Sequence, residues 1–357
     1  MPQPELPPEI IQIILDNLRL ANMANTLDKK ALCAVSLACR NLYNLATPLI
    51  YSEVTLSNYD SVDHTFFSFV ETMLNNPYLA SLLKSYNGTL YPHSSLETSL
   101  RFEPLKGWLQ NIVNVKTMHI NVAHDLTKIP FPRCPFRLES LKIIFYKGNE
   151  LGIEPFLENQ PNLSSLYIGL FKTTVMRPLS PLACPNLKVL AGTSFAAEWI
   201  LPGRKVVRFK WAYQWDWERH HPIHLPANSF SEISEELNNL RSLSYIVADV
   251  KMFPSSMFKV INPANAYLRS LRFLEIEGLG GNTDPLKPAC PLRRRVFQWL
   301  FTKCPSLQRV DLHNPAFWAK WNCGRWLRGA KGGPVIIPLE VAEKGRTEFL
   351  DDNLEDV

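Results

Sequence analysis

Apolar residues near the start of the chain recur at helical spacing. The first run follows two prolines and a glutamate in LPPEIIQIILDNL, with Ile13 lying off its main apolar face. A second helix is predicted to begin at Asp28, a residue type that favours N-caps. It should end soon after Ala46, because Pro48 follows, and a strand should start near Tyr51. The apolar stripe of the second helix consists of Leu32, Val35, Ser36, Cys39, Leu42, Tyr43 and Ala46.

These two predicted helices form a unit that is too small to be well covered by itself. Residues 5–51 make about 47 residues, and a unit of this size is marginally stable alone because it buries a modest share of its surface. Helices that are apolar on more than one side need a covering surface. The pattern therefore predicts a partner for this unit, either in the same chain or in another.

A different pattern follows, in which a helical or irregular stretch precedes a short strand. A helix is predicted from Val62 to Leu74 and a strand near Leu83. Segments of the form L-x-x-L-x-I then recur with start-to-start spacings of 23, 25, 24, 56, 28 and 36 residues. The spacing of 56 leaves room for a further repeat near Val206–Trp211. The segments begin at Val115, Leu138, Leu163, Leu187, Leu243, Leu271 and Leu307.

This leucine spacing, with a period in the twenties, is typical of leucine-rich repeats, whose strand-containing units stack to bury their apolar sides. A generic α/β domain with leucine-containing strands is the competing interpretation. In a pleated strand, the second leucine and the isoleucine face the core and the residues beside them face outward. The candidates for contact with another protein are therefore His119, Lys142, Tyr167, Tyr245, Asp249, Phe273, Glu275, Arg309 and Asp311.

The first 51 residues resemble an F-box. The family pattern has LPxE, an apolar run, and a second part of the form L..(V/S)..C(R/K).(L/W)..L..P.LY. Two departures are Leu42, where many members have tryptophan, and the long loop LRLANMANTLDKK. The matching positions are Leu6-Pro7-Pro8-Glu9-Ile10-Ile11, Leu32, Val35-Ser36, Cys39-Arg40, Leu42, Leu45 and Pro48-Leu49-Ile50-Tyr51.

The resemblance implies a substrate-recognition subunit of a Skp–cullin–F-box ubiquitin ligase. Such a subunit is not itself an enzyme: its F-box binds a Skp-type adaptor, which links it to a cullin–RING ligase, and its other domain holds the client protein. An F-box followed by leucine-rich repeats is also similar to an arrangement common in eukaryotic, particularly fungal, proteins. By this resemblance the adaptor-binding residues are Leu6, Pro7, Ile10, Ile11, Ile14, Leu32, Val35, Ser36, Cys39 and Pro48.

Two alternatives remain open alongside this interpretation. Some of the matching residues would serve only to hold the helices together. In the second alternative, the whole chain is a non-catalytic interaction scaffold outside the ubiquitin pathway. The predicted architecture is α/β: an all-α F-box at residues 1–56, an irregular leucine-rich-repeat solenoid at 57–328, and an acidic tail at 329–357.

Composition limits the other functional classes. The 357 residues carry a net charge of +5, too mild to demand nucleic acid or an anionic membrane, although residues 329–357 hold seven acids against three bases. No apolar segment is long enough to cross a bilayer, so no membrane partner is expected. The seven cysteines include no CxxC pair, which favours reduced core thiols in a cytoplasmic or nuclear protein.

Two aromatic stretches suggest further chemistry that we do not expect. WAYQWDWERHHPIH contains His220, His221 and His224, but no cysteine supports a metal site there, so an aromatic insertion loop is favoured. FWAKWNCGRWLRGAK, with Arg293–Arg295 nearby in sequence, mixes tryptophans and bases as single-stranded nucleic-acid sites do, and an amphipathic cap is the preferred interpretation. No catalytic or phosphate-binding motif is present, and no cofactor is predicted.

Overall fold

In the computed structural model the chain forms two compact units. One unit comprises Met1–Ile143 with Asn149–Pro161, and the other comprises Ile144–Gly148 with Asn162–Val357. The described residues are 7, 9–11, 13–15, 27–56, 62–89, 103–122, 134–145, 153–169, 178–211, 215–216, 221–222, 233–247, 268–278, 298–313, 324–328 and 334–337.

The first unit opens with helices and continues with parallel strands. Its strand order is β1-β2-β3-β4. Helical residues at 9–11 and 13–15 precede the labelled elements. These are α1 (Leu27–Ser36), α2 (Arg40–Ser52), β1 (Glu53–Thr55), α3 (Val62–Asn75), α4 (Pro77–Leu82), β2 (Ser85–Thr89), a 3-10 helix (Glu103–Gln110), β3 (Thr117–Val122), β4 (Ser140–Phe145, which crosses the boundary between the units) and α5 (Ile153–Glu158).

The predicted second helix is two helices, so the prediction was wrong in two places. Cys39 has extended backbone angles (φ −162°, ψ 164°), which separates α1 from α2. Pro48 lies inside α2 rather than ending it. Proline removes one backbone donor, but the residues after it stay helical to Ser52, whose hydroxyl donates to the Leu49 carbonyl at 3.0 Å.

The helix from Val62 is confirmed, and its aromatic side chains form the core beside β2. The rings of Phe69 and Tyr86 stack with centroids 5.6 Å apart, and Trp108 meets both edge-on, at 5.6 and 5.5 Å. Tyr86 and Trp108 are fully buried, and burial raises the pKa of the Tyr86 hydroxyl. This cluster joins α3, β2 and the 3-10 helix, because one aromatic side chain comes from each.

The second unit is a run of strands with short helices between them. The order is β5-β6-β7-β10-β11-β12-β13-β14, parallel from β6 to β12 and antiparallel in the last two pairings, while β8 and β9 form a separate hairpin. Residues 298–303 are helical. The elements are β5 (Ser165–Gly169), β6 (Val189–Gly192), α6 (Ser194–Ile200), β7 (Arg208–Trp211), β8 (Trp215–Asp216), β9 (His221–Pro222), α7 (Ser234–Leu237), β10 (Ser242–Val247), β11 (Phe273–Gly278), β12 (Arg309–His313), β13 (Gly324–Arg328) and β14 (Pro334–Ile337).

The repeated leucine segments form the strands and their core, as the spacing predicts. We call the two leucine positions of L-x-x-L-x-I the first and second anchors. Every first anchor is buried: Leu83, Val115, Leu138, Leu163, Leu187, Val206, Leu240, Leu271 and Leu307. Every second anchor is buried too: Tyr86, Met118, Leu141, Leu166, Leu190, Phe209, Leu243, Leu274 and Val310.

A repeated hydrogen-bond pattern holds successive repeats in register. The carbonyl that follows the first anchor accepts from two successive N–H groups of the next repeat. The Lys188 carbonyl, for example, accepts from Val207 and Arg208 at 3.0 and 3.1 Å. The Arg241 carbonyl accepts from Arg272 and Phe273 at 2.8 and 3.0 Å. The bonds fix which residue of each strand lies beside which residue of the next.

The register confirms the repeat near Val206 and corrects the repeat that followed it. Strand β7 begins at Arg208, inside the predicted Val206–Trp211. The β10 repeat starts at Leu240, three residues before the predicted Leu243, because Leu243 pairs with the second anchors Phe209 and Leu274. Ser242 therefore occupies the outward position that the sequence had assigned to Tyr245, and Tyr245 instead pairs with Ile276.

Candidate functional site

The helical residues 9–11 and 13–15, together with α1 and α2, form what we call the head, which has a small core of its own. Leu15, Leu32 and Ala46 are buried, at 1%, 2% and 0% exposure. The apolar residues packed around them are only partly buried: Ile11, Val35, Leu45, Leu49 and Ile50. The head therefore has a small buried core, and the apolar residues around that core are only partly covered.

Large apolar side chains of the head remain exposed. Ile10, Ile13 and Ile14 are 43%, 56% and 48% exposed, and they come from one helical turn. Leu37 is 85% exposed at the break between α1 and α2, and Tyr43 is 47% exposed. We call these five residues the apolar head surface. Exposed apolar residues grouped on one helical turn, as Ile10, Ile13 and Ile14 are, mark candidate interaction sites on soluble proteins.

The residues predicted to bind an adaptor fall into three groups in this geometry. Leu32 lies in the head core, so it supports the surface from below, and Leu6 lies outside the described residues. Ile11, Val35, Ser36 and Pro48 are half-buried. Pro7, Ile10, Ile14 and Cys39 are exposed. The sequence pattern identified the side chains of one region, and the structure separates those that an outside molecule can reach.

Hydrogen bonds attach the head to the first strands of its unit. The Lys29 ammonium donates to the Glu53 carbonyl at 2.7 Å. Burial lowers the pKa of Lys29, while the Glu53 carboxylate acts in the opposite direction. The Lys84 N–H donates to the Ser52 carbonyl at 2.8 Å, and the Leu56 N–H donates to the Asn87 carbonyl at 2.8 Å. The two backbone bonds connect the end of α2 to the residue before β2, the next strand of the sheet, and the residue after β1 to β2 itself.

In the first unit, the outward face of the strands presents His119 and Lys142. His119 is half-buried beside Asn87 of β2. Burial lowers the pKa of the His119 imidazole, and the Lys142 charge lowers it further. Its Nε2 is buried without a hydrogen-bond partner among the described residues.

In the second unit, the register places four of the predicted client-binding residues on adjacent strands. Phe273 lies beside Arg309, and Glu275 lies beside Asp311. Arg309 Nε donates to the Asp311 carboxylate at 2.8 Å. Tyr167 lies on β5, where burial raises the pKa of its hydroxyl and the Lys210 charge partly offsets the effect. Asp249, a further predicted contact, lies outside the described residues.

Three arginines of this unit were missed by the sequence analysis. Arg208 begins β7, and Arg241 and Arg272 immediately precede β10 and β11. Arg241 and Arg272 are exposed, and Arg208 is half-buried. Arg208 can be placed on a strand only after the repeat at Val206 is recognised. Arg241 can be placed immediately before β10 only after that repeat is assigned to begin at Leu240. We call these three residues, which lie at or immediately before the starts of neighbouring strands, the arginine row.

The remaining sequence candidates form no site in the part of the chain that is described. His221 belongs to the β8–β9 hairpin, while His220 and His224 lie outside the described residues. Among described residues, no three His, Cys, Asp or Glu side chains are grouped to hold a metal ion. Trp326 lies on β13, whereas Trp318, Trp321 and Arg293–Arg295 are outside the described ranges.

The cysteine prediction holds for three residues. Cys134, Cys184 and Cys304 are buried, and burial raises the pKa of Cys134 and Cys184 to about 12. Cys33 and Cys39 are exposed on the head. Across the described ranges, no helix has the length and apolar character needed to span a membrane.

Comparisons with known proteins add little to this geometry. No protein-family model matches the chain, and no curated protein matches it. Among solved structures, the chain is similar to a Bacteroides fragilis protein that was a structural genomics target. That similarity has 14% sequence identity and a TM-score of 0.34, and it covers 72% of this chain and 73% of the other. A likeness this low carries no argument about fold or function.

Proposed function

We propose that this chain is the substrate-recognition subunit of a Skp–cullin–F-box ubiquitin ligase. The head binds a Skp-type adaptor, and the outward face of leucine-rich repeats binds a client protein. The chain makes no bond itself. It raises the effective concentration of client lysines near a ubiquitin carrier, which accelerates transfer through proximity.

The observation that carries the proposal is the apolar head surface. Ile10 and Ile14 match the family positions that face the adaptor, and both are about half exposed, at 43% and 48%. Fully burying an exposed isoleucine side chain contributes about 1.5–3 kcal/mol, so covering the exposed half of each of these residues contributes roughly half of that. The buried side chains of the same region, Leu15 and Leu32, keep that surface in place.

The repeated strands support the second half of the proposal. Their buried anchors and stacked backbone bonds have the regularity expected of leucine-rich repeats. Their outward positions carry side chains of both charges together with the aromatic Phe273 and Tyr167. A face of mixed charge with aromatic residues suits a folded protein partner better than a uniformly charged polymer.

Client turnover distinguishes this function from a scaffold outside the ubiquitin pathway. Proteins that the chain captures from cells with blocked proteasomes are first identified, and their half-lives are then measured. Cells that express Ile10→Asp/Ile14→Asp in place of the native chain should accumulate these proteins severalfold. Leu182→Asp, which alters an exposed apolar residue (85% exposed) outside the head, serves as the matched control. Unchanged half-lives with the double variant would favour the scaffold and contradict the proposal.

A further inference from the structure

The arginine row places like charges side by side. The Arg272 N–H donates to the Arg241 carbonyl at 2.8 Å, so these two exposed side chains leave the backbone from neighbouring strands. Arg208 lies beside Ser242, the next residue after Arg241. Among described residues, no carboxylate forms an ion pair with any of the three. Adjacent like charges destabilise a sheet, so an anionic occupant would relieve a cost that the fold itself bears.

The sequence after β14 carries the opposite charge. Residues 338–357 contain seven acidic and two basic side chains. Five of the acids fall within the nine residues Glu348–Asp356. We call these nine residues the acidic segment.

The linker to the acidic segment is long enough to reach the arginine row. Strand β14 ends at Ile337, which pairs with Arg325, and Arg325 pairs with Asp311 of β12. Adjacent strands lie about 4.8 Å apart, so β10 is roughly 19 Å from β14 across the sheet. The ten residues 338–347 can span up to about 33 Å. The segment therefore reaches Arg241 without full extension.

We propose that the acidic segment of this chain docks on the arginine row. The occupied row is then closed to acidic segments of other proteins, so that an outside partner must displace the chain's own segment. This inference is independent of the ligase function, since it concerns only contacts within one chain.

A fluorescent peptide of residues 338–357, added to the full-length chain, tests the proposal. The first variant neutralises the segment in place (Asp351→Asn, Asp352→Asn, Glu355→Gln and Asp356→Asn). A tethered segment has an effective concentration near the millimolar range and competes strongly with added peptide. Fluorescence anisotropy should therefore show binding to this variant about tenfold tighter than to the native chain. Binding should weaken as salt is raised, because exposed charges are screened.

Further variants locate the contact. Adding Arg208→Gln, Arg241→Gln and Arg272→Gln to the neutralised chain should weaken peptide binding about tenfold, the sum of three modest surface ion pairs. The control adds Lys84→Gln, Arg137→Gln and Lys303→Gln, which alter exposed bases elsewhere by the same total charge and should leave the affinity unchanged. A peptide with its acids replaced by amides tests the same contact without altering the protein, and it should not bind.

Three results would overturn the proposal. Equal affinity of the peptide for the native and neutralised chains would mean that the row is open to outside proteins. An equal loss in the control variant would mean that the attraction is only net charge. If the peptide bound no form of the chain, the arginine row would not be a binding site for the acidic segment.

Discussion

Gln160 completes the turn that precedes Leu138. Its side-chain oxygen accepts from the Leu138 N–H at 2.8 Å, and its amide nitrogen donates to the Phe136 carbonyl at 3.4 Å. At six of the other first anchors the same N–H donates to a backbone carbonyl three residues earlier, as Leu307 does to Cys304 at 3.0 Å. Gln160 is fully buried, so one repeat supplies the hydrogen bond that the preceding repeat lacks.

Replacing Gln160 with alanine should destabilise the protein by about 1–3 kcal/mol, because the buried Leu138 N–H would lose its acceptor. Urea unfolding measures the free energy of unfolding directly. Asn159→Ala is the control: Asn159 is exposed and bonds only within its own helix, to the Pro155 carbonyl at 2.9 Å. An equal loss in both variants would contradict the role assigned to Gln160.

Arg204 organises the loop before β6 through backbone carbonyls. It is 3% exposed and donates to the carbonyls of Ile200, Pro202, Ser180 and Ala183, the last at 3.0 and 2.9 Å. Burial lowers the pKa of its guanidinium.

We expect Arg204→Met to lower the free energy of unfolding by more than about 3 kcal/mol, since hydrogen bonds to a charged group contribute about 1.5–3 kcal/mol each. Arg204→Lys should recover little, because an ammonium cannot reproduce the planar fork. The exposed neighbour Lys205 provides the control variant Lys205→Met. Full stability of Arg204→Lys would show that charge rather than geometry matters here.

Gly192 allows β6 to pass close to its neighbours. A Cβ at this position would lie 2.6 Å from the Ala196 Cβ and 2.8 Å from the Ile168 carbonyl oxygen. Gly192→Ala should therefore cost about 1–3 kcal/mol, as overpacking does. At Gly169 the nearest atom would be 3.4 Å away, so Gly169→Ala should cost less. Thermal unfolding of the two variants checks this, and an equal shift in midpoint would contradict it.

Buried and exposed thiols should differ in reactivity. Alkylation requires the thiolate, so Cys33 and Cys39 should react with iodoacetamide at pH 8 while Cys134 and Cys184 do not. Peptide mass spectrometry identifies the modified residues. Rapid labelling of Cys184 in the folded chain would contradict its burial.

The same thiols make stability depend on pH in the alkaline range. Their folded pKa of about 12 lies above the value of about 8.5 for an exposed thiol, so the folded state holds these protons more tightly. The contribution of these thiols to the free energy of unfolding is complete below about pH 8.5 and is lost as the pH rises towards 12. The free energy of unfolding of the native chain should fall between these pH values. In the Cys184→Ala variant it should fall less steeply.

The sequence predicted the strands well because each repeat contributes apolar anchors at fixed spacing. It failed at β10 because Leu240, Leu243 and Ile246 are three residues apart, and two frames therefore fit the pattern equally. The turn before the strand decides between them: the Leu240 N–H donates to the Leu237 carbonyl at 3.2 Å. A pattern of residue types contains no information about this bond.

The head shows a different limit. Periodicity predicted which side chains share a helical face, but it could not tell Leu32, which the head covers itself, from Ile14, which it leaves exposed. The break at Cys39 was also hidden, because the stripe of α1 and α2 continues across it in sequence. Coverage depends on how helices pack, which a single-helix pattern does not specify.

The most direct test of the central claim is a calorimetric titration of the full-length chain with a purified eukaryotic Skp-type adaptor. We predict saturable binding by the native chain. Ile10→Asp/Ile14→Asp should weaken it at least about 100-fold, because the apolar contacts are lost and two carboxylates would have to be buried against the adaptor. Leu182→Asp should bind like the native chain. Equal affinity of the double variant and the native chain, or no binding by the native chain, would contradict the account.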